Sequence, residues 1–132
     1  MTFVIRFMPQ EVHLVLVSND PQRAYPAFTL AMGAVAMGAK AKVYCTMGAL
    51  DLIKKGGADK VQIPGMPSLG KFLRDAVDAG VEVCACGPSA EMLAQMGISD
   101  STIEPGVTIE DVVGFLKNAL PAAKEGGVIS FV

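Results

Sequence analysis

The feature that most constrains this chain is a repeated alternation between two kinds of segment. Short β-branched runs give way to longer stretches with helical spacing, and Gly, Pro and Asp punctuate the joins. Val12-His13-Leu14-Val15-Leu16-Val17 stops at the turn-forming Ser18-Asn19-Asp20, where Asp20 suits a helix cap and Pro21 the first helical position. The helix predicted over residues 21–38 is apolar almost all round from Phe28 to Ala39, so it should be covered on more than one side. Residues 41–46 read as a second strand, followed by a turn at Gly48 and a helix over 49–55 that ends at Gly56-Gly57. Residues 60–64 read either as a brief strand or as a loop, and the segment 56–66 stays open between them. Pro67 and Ser68 begin a further helix with Leu69, Phe72, Leu73, Ala76 and Val77 at helical spacing, closed by Gly80. Residues 81–86 are the next strand, and Gly87-Pro88-Ser89 leads into a helix through Gln95. Thr108-Ile109-Glu110-Asp111 has the pattern of a capping box, with Asp at its last position, and predicts a helix to about Leu120. Residues 126–132 read as a terminal strand.

Strand–helix alternation implies right-handed crossovers and a parallel sheet with helices on both faces. The expectation is an α/β fold, a three-layer α/β/α sandwich of about five mainly parallel strands with flavodoxin-like layering, in a single domain over residues 1–132. Of the 132 residues, 52% are hydrophobic and 18% charged, which excludes a disordered chain. The net charge of −2 and the lack of a basic cluster argue against a nucleic-acid partner. The longest apolar run, 28–39, is too short for a bilayer span of about 20 residues. The first ten residues lack the pattern of a signal peptide, and three cysteines are too few for a disulfide scaffold. These points lead to an expectation of a cytoplasmic protein.

In an open parallel sheet, ligands bind beyond the carboxyl ends of the strands. Ser18, Asn19 and Asp20 follow the first strand, Cys45 and Thr46 end the second, and Cys84 and Cys86 end the strand at 81–86. Cys86 is the sharpest candidate, because it sits where strand becomes helix, just before Gly87-Pro88-Ser89. Unpaired N–H groups at a helix start favour a thiolate, and Gly87 leaves space beside it. The competing reading is a small side chain that closes the core. Cys84 shares a strand face with Cys86 and reads better as core than as a resolving thiol. Cys45 divides the same way. His13 opens an apolar strand and reads as structural. No metal site is expected, since CxxC and HxxxH spacings are missing, and no cofactor is expected, since nothing after the first strand has the Gly density of a phosphate cradle.

Three stretches together match a known pattern: the opening strand and Ala-rich helix at 12–39, Cys45-Thr46-Met47-Gly48-Ala49-Leu50, and Gly80-Val81-Glu82-Val83-Cys84-Ala85-Cys86-Gly87-Pro88-Ser89. The last is followed by a helix ending Met96-Gly97-Ile98. In these the chain resembles the DsrE/DsrF/DsrH-like (TusD-like) family of small sulfur-relay proteins. The resemblance implies a sulfur carrier or sulfurtransferase whose cysteine, here Cys86, holds a persulfide and passes sulfur between a donor and an acceptor protein. It also implies a homo-trimer or homo-hexamer, and the near-encircling apolar surface of 28–39 independently suggests burial between subunits. Cys84, directly upstream, departs from the simplest family pattern and leaves open which thiol is loaded. Two alternatives remain. One is a peroxiredoxin-like thiol redox protein, although Thr-x-x-Cys is missing. The other is a non-catalytic oligomeric subunit that binds a ligand or serves structure alone.

Overall fold

The computed structural model describes residues 10–87 and 90–132. Strands β1 (Glu11–Leu16), β2 (Lys40–Cys45), β3 (Glu82–Cys86), β4 (Val107–Glu110) and β5 (Val128–Phe131) form one sheet in the order β4-β3-β2-β1-β5. Every neighbouring pair is parallel. Helices α1 (Pro21–Ala36), α2 (Leu69–Ala79), α3 (Ala90–Gln95) and α4 (Val112–Lys124) make the crossovers, so the architecture is the expected α/β/α one.

The local signals account for most of these elements. Asp20 caps α1 by accepting the Gln22 N–H at 2.9 Å, and Pro21 starts the helix. Ser68 caps α2, and Gly80 ends it at φ 100°, a left-handed conformation that a side chain would strain. Because side chains alternate along a strand, the sheet has two unlike cores. On one face Leu14, Leu16, Val43, Cys45, Val83 and Ala85 pack against Tyr25 and Phe28 of α1, Leu73 of α2 and Leu93 of α3. On the other, Val15, Tyr44 and Cys84 meet only Phe115 and Ala119 of α4.

Three expectations need correction, and one open point is decided. Thr108 does not cap a helix: residues 107–110 are strand β4, and Asp111 caps α4 by accepting the Gly114 N–H at 2.6 Å. The capping pattern is real but lies three residues later, and β4 supplies the fifth strand. Of the two readings open for residues 60–64, a strand or a loop, the structure shows the loop. The loop there is held by Glu104, which accepts from Gly56 N–H at 3.2 Å and from Arg74 at 3.4 Å, while Arg74 also pairs with Asp59 at 2.9 Å. The helix expected over 49–55 is a 3-10 turn at Met47–Asp51. Finally, α1 is not the most exposed apolar element. Phe28 and Ala31 are buried, and the exposed large side chains on it and its cap are Leu30 and Met37. More of them lie on α4 and β5: Val112, Val113, Leu116, Leu120, Val128 and Phe131.

Candidate functional site

The strand order determines where a crevice can form. The connections leaving β1, β2 and β3 lie on the α1/α2/α3 face, whereas the connection leaving β4 carries α4 over the opposite face. The chain paths therefore diverge between β3 and β4, the place where open α/β sheets bind ligands. Cys86, the last residue of β3, stands at that divergence with Glu110 of β4 as its register partner. Of the three cysteines, Cys45 and Cys84 are buried and Cys86 is half-exposed.

Cys86 shares the α4 face with a band of polar groups. Lys42 is buried and spans β3 to reach Glu110 at 2.7 Å, with Glu82 at 3.7 Å. Burial acts to lower the pKa of Lys42, but the bond to Glu110 and the charges of Cys84, Glu82 and Glu110 outweigh it and raise it. Cys84 Sγ lies 3.4 Å from Thr108 Oγ1 and donates to Glu82 Oε1 at 3.7 Å. Burial pushes its thiol up to about 11, although the Thr108 bond and the Lys42 charge act the other way. Tyr44 crosses in the same direction as Lys42. Its ring stacks on Phe115 at 4.3 Å, and its hydroxyl donates to the Glu110 carbonyl at 3.0 Å. Burial, then the hydrogen bond and charge of Cys86, then Glu110 and Asp111, hold the Tyr44 phenol above its usual range.

The other residues singled out by sequence are not gathered around Cys86. Cys45 ends β2 but points into the opposite, apolar core, where burial and then the charge of Cys84 push its thiol up to about 12. Ser18, Asn19 and Asp20 form a turn after β1, two strands away from Cys86. Ser18 Oγ accepts the Asp20 N–H at 2.9 Å, Asp20 caps α1, and Asn19 reaches Asp51 at 3.4 Å. Their polar groups are thus engaged within the turn, at the start of α1 and on Asp51. Thr46 bonds through its N–H to the Leu16 carbonyl at 3.0 Å and starts the 3-10 turn. Gly87 does adjoin Cys86, but a side chain there would collide with Ile109 and Leu93. That glycine is required by close packing, and the room beside it is already filled. It borders an open hollow of about 240 Å3 between α3 and β4, with Leu93, Ile98, Asp100 and Ile109 in its wall. Ser89 and Pro88 lie outside the described residues.

His13 is structural by position. Its Nε2 lies 3.1 Å from Glu11 Oε1 and its ring meets Phe115 edge-on, while its buried Nδ1 has no partner among the described residues. No group of three or more His, Cys, Asp or Glu among the described residues is arranged to hold a metal ion. Sequence reasoning missed Lys42, Tyr44 and Glu110. Its available signal was the alternation in Lys40-Ala41-Lys42-Val43-Tyr44-Cys45, which places two lysines and a tyrosine on one strand face. Glu110 was hidden by the assignment of its segment to a helix start.

The model of the DsrE/DsrF-like family matches residues 12–123. The chain belongs to the DsrE/DsrF-like family. Two archaeal proteins are similar to the chain, and both are named as uncharacterized proteins. MK0008 of Methanopyrus kandleri is 30% identical over 116 residues, covering 83% of this chain and 89% of its own length. MJ0760 of Methanocaldococcus jannaschii is 32% identical over 99 residues, covering 75% of this chain. The chain spans only 35% of MJ0760's length. Among solved structures, the ychN protein from E. coli superposes with a TM-score of 0.63 at 16% identity, over 94% of this chain and 98% of its own. That likeness is one of fold. No helix among the described residues is long and apolar enough to cross a membrane.

Proposed function

We propose that this chain is a cysteine-dependent sulfur carrier or sulfurtransferase that forms a persulfide on Cys86. The observation that carries the reading is the contrast among its thiols. Two are buried, and the third is half-exposed at the divergence of the chain paths, in the position to which the family resemblance assigns the sulfur-carrying cysteine. In the first step the Cys86 thiolate attacks the outer sulfur of a donor persulfide. A new S–S bond forms, the donor's S–S bond breaks, and its electron pair leaves on the donor thiolate. In the second step an acceptor thiolate attacks the sulfur held on Cys86, and Cys86 departs as thiolate. Neither step has a net oxidant or reductant.

The geometry gives less support to the alternatives. A redox cycle through an internal disulfide would need a second reactive thiol, yet Cys84 is buried with its thiol pushed up to about 11. A subunit without chemistry would be expected to hide all three thiols, and Cys86 is half-exposed. The partners proposed are a sulfur donor and an acceptor protein, in the reducing cytoplasm that suits three unpaired thiols. A homo-trimer or homo-hexamer would bury the exposed apolar side chains, chiefly Val113, Leu116 and Leu120 of α4 and Phe131 of β5. Sedimentation as a stable monomer contradicts that assembly. The carrier reading is tested by exposing the protein to inorganic polysulfide: wild type gains sulfur and Cys86→Ser does not. Equal loading of the two proteins would overturn the assignment.

A further inference from the structure

The Tyr44 hydroxyl has two acceptors within reach. It donates to the Glu110 carbonyl at 3.0 Å, and Cys86, the register partner of Glu110, packs on the same sheet face against the cluster that holds Tyr44, where its sulfur acts on the phenol as a second partner. The carbonyl does not depend on Tyr44, because Gly87, the residue after Cys86, donates its N–H to the same oxygen at 3.2 Å. The hydroxyl can therefore turn away without leaving a buried acceptor unpaired. The ring cannot follow, since it is stacked on Phe115 at 4.3 Å and 20°. We propose that Tyr44 is a switchable hydrogen-bond donor to the Cys86 sulfur: it bonds the Glu110 carbonyl while Cys86 is a thiol and turns to the sulfur once that sulfur is an anion, as thiolate or as loaded persulfide.

This inference rests on the carrier reading of Cys86 and gives that reading a means of holding charge. The surroundings require one. Glu110, Asp111, Glu82 and Thr108 bring carboxylates and a hydroxyl to the same band, with Cys84 beside them, and Lys42 is already paired with Glu110 at 2.7 Å. A further anion there gains from a donor that is never itself ionised. Burial and the neighbouring charges keep Tyr44 protonated well past neutral pH. A hydrogen bond to an anion is about twice as strong as a neutral one, so ionisation of the sulfur supplies the bias that turns the hydroxyl.

The test compares wild type with Tyr44→Phe, which keeps the stacked ring and leaves the Glu110 carbonyl bonded to Gly87. Alkylation by iodoacetamide is followed at each cysteine across a pH series. Losing one charge-assisted bond lowers the thiolate fraction about tenfold, and the more basic thiolate that remains is about threefold more nucleophilic. Cys86 of the variant should then react about three- to fourfold more slowly near neutral pH, with the gap closing or reversing at alkaline pH. Slow labelling of Cys45 and Cys84 shows that the variant is folded. A second readout leaves the hydroxyl in place. With 3-fluorotyrosine at both tyrosines, the Tyr44 fluorine resonance should move when polysulfide loads Cys86. Tyr25, bonded to the Pro67 carbonyl at 2.6 Å, should stay put as the control. Superimposed pH profiles, or a Tyr44 resonance unmoved by loading, overturn the proposal even if Cys86 carries sulfur. If wild type loads no sulfur while the variant is still slower in alkylation, the carrier reading fails and the Tyr44 bond to the thiolate stands.

Discussion

The two faces of one sheet have been put to opposite uses. On the α1/α2/α3 side, Leu14, Leu16, Val43, Cys45, Val83 and Ala85 are sealed under helices. On the α4 side the alternate residues of the same strands are His13, Lys42, Tyr44, Cys84 and Cys86, with a single helix above them. The polar face costs hydrophobic burial and requires each charge to find a partner. In return it places a half-exposed sulfur on the same sheet face as a tyrosine hydroxyl and the Lys42–Glu110 pair. The difference between the faces is clearest in their buried thiols. Cys45 in the apolar core is pushed up to about 12, whereas Thr108 and Lys42 restrain Cys84 to about 11.

Alkaline titration should break that comparison most strongly. A thiol whose folded pKa lies above its unfolded value, about 8.5, supports the fold fully below that pH. The support is lost as pH rises toward the folded value, near 12 for Cys45. The loss amounts to about 5 kcal/mol for Cys45. Lys42, also raised, adds a loss of the same sign above about 10.4. Urea unfolding midpoints should fall from about pH 9 upward. Cys45→Ala should flatten that limb more than Cys84→Ala, and the reverse order would mean that the faces differ less than their residues imply.

The ion pair comes next. Glu110→Ala leaves the buried Lys42 charge with only Glu82 at 3.7 Å and should cost about 2–3 kcal/mol, below the value for a wholly buried pair because Glu110 is 21% exposed. Lys42→Met removes the buried charge itself and should stay within about 1 kcal/mol of wild type. Equal urea midpoints for the two variants would contradict this account of the polar face. The smallest effect belongs to the turn after β1. Asp20→Ala should cost about 1 kcal/mol through its lost helix cap and leave sulfur loading unchanged. A loading defect in that variant at full stability would return Asp20 to the site.

The fold was legible in the sequence because its signals are local. Asp20-Pro21, Ser68 and Gly80 act where they stand, and apolar runs mark four of the five strands on their own. β4 was not legible, since Val107-Thr108-Ile109-Glu110 is a short edge strand whose turn and cap residues imitate a helix start. The site was half legible. A cysteine at a strand–helix junction can be seen in one dimension. Its neighbours cannot, because Lys42 and Tyr44 come from β2 and reach over β3 to β4. Which strands adjoin depends on crossovers that no local pattern encodes. The same ignorance placed Cys45 in the same row as Cys86, although it faces the opposite core.

The most direct test of the central claim is the location of sulfur after loading. Native protein treated with inorganic polysulfide, then alkylated and mapped by mass spectrometry, reports each cysteine separately. The account predicts one added sulfur, about 32 Da, on the Cys86 peptide, with Cys45 and Cys84 unmodified until the chain is unfolded. Sulfur on Cys45 or Cys84 in the native protein, or none on Cys86, would contradict it.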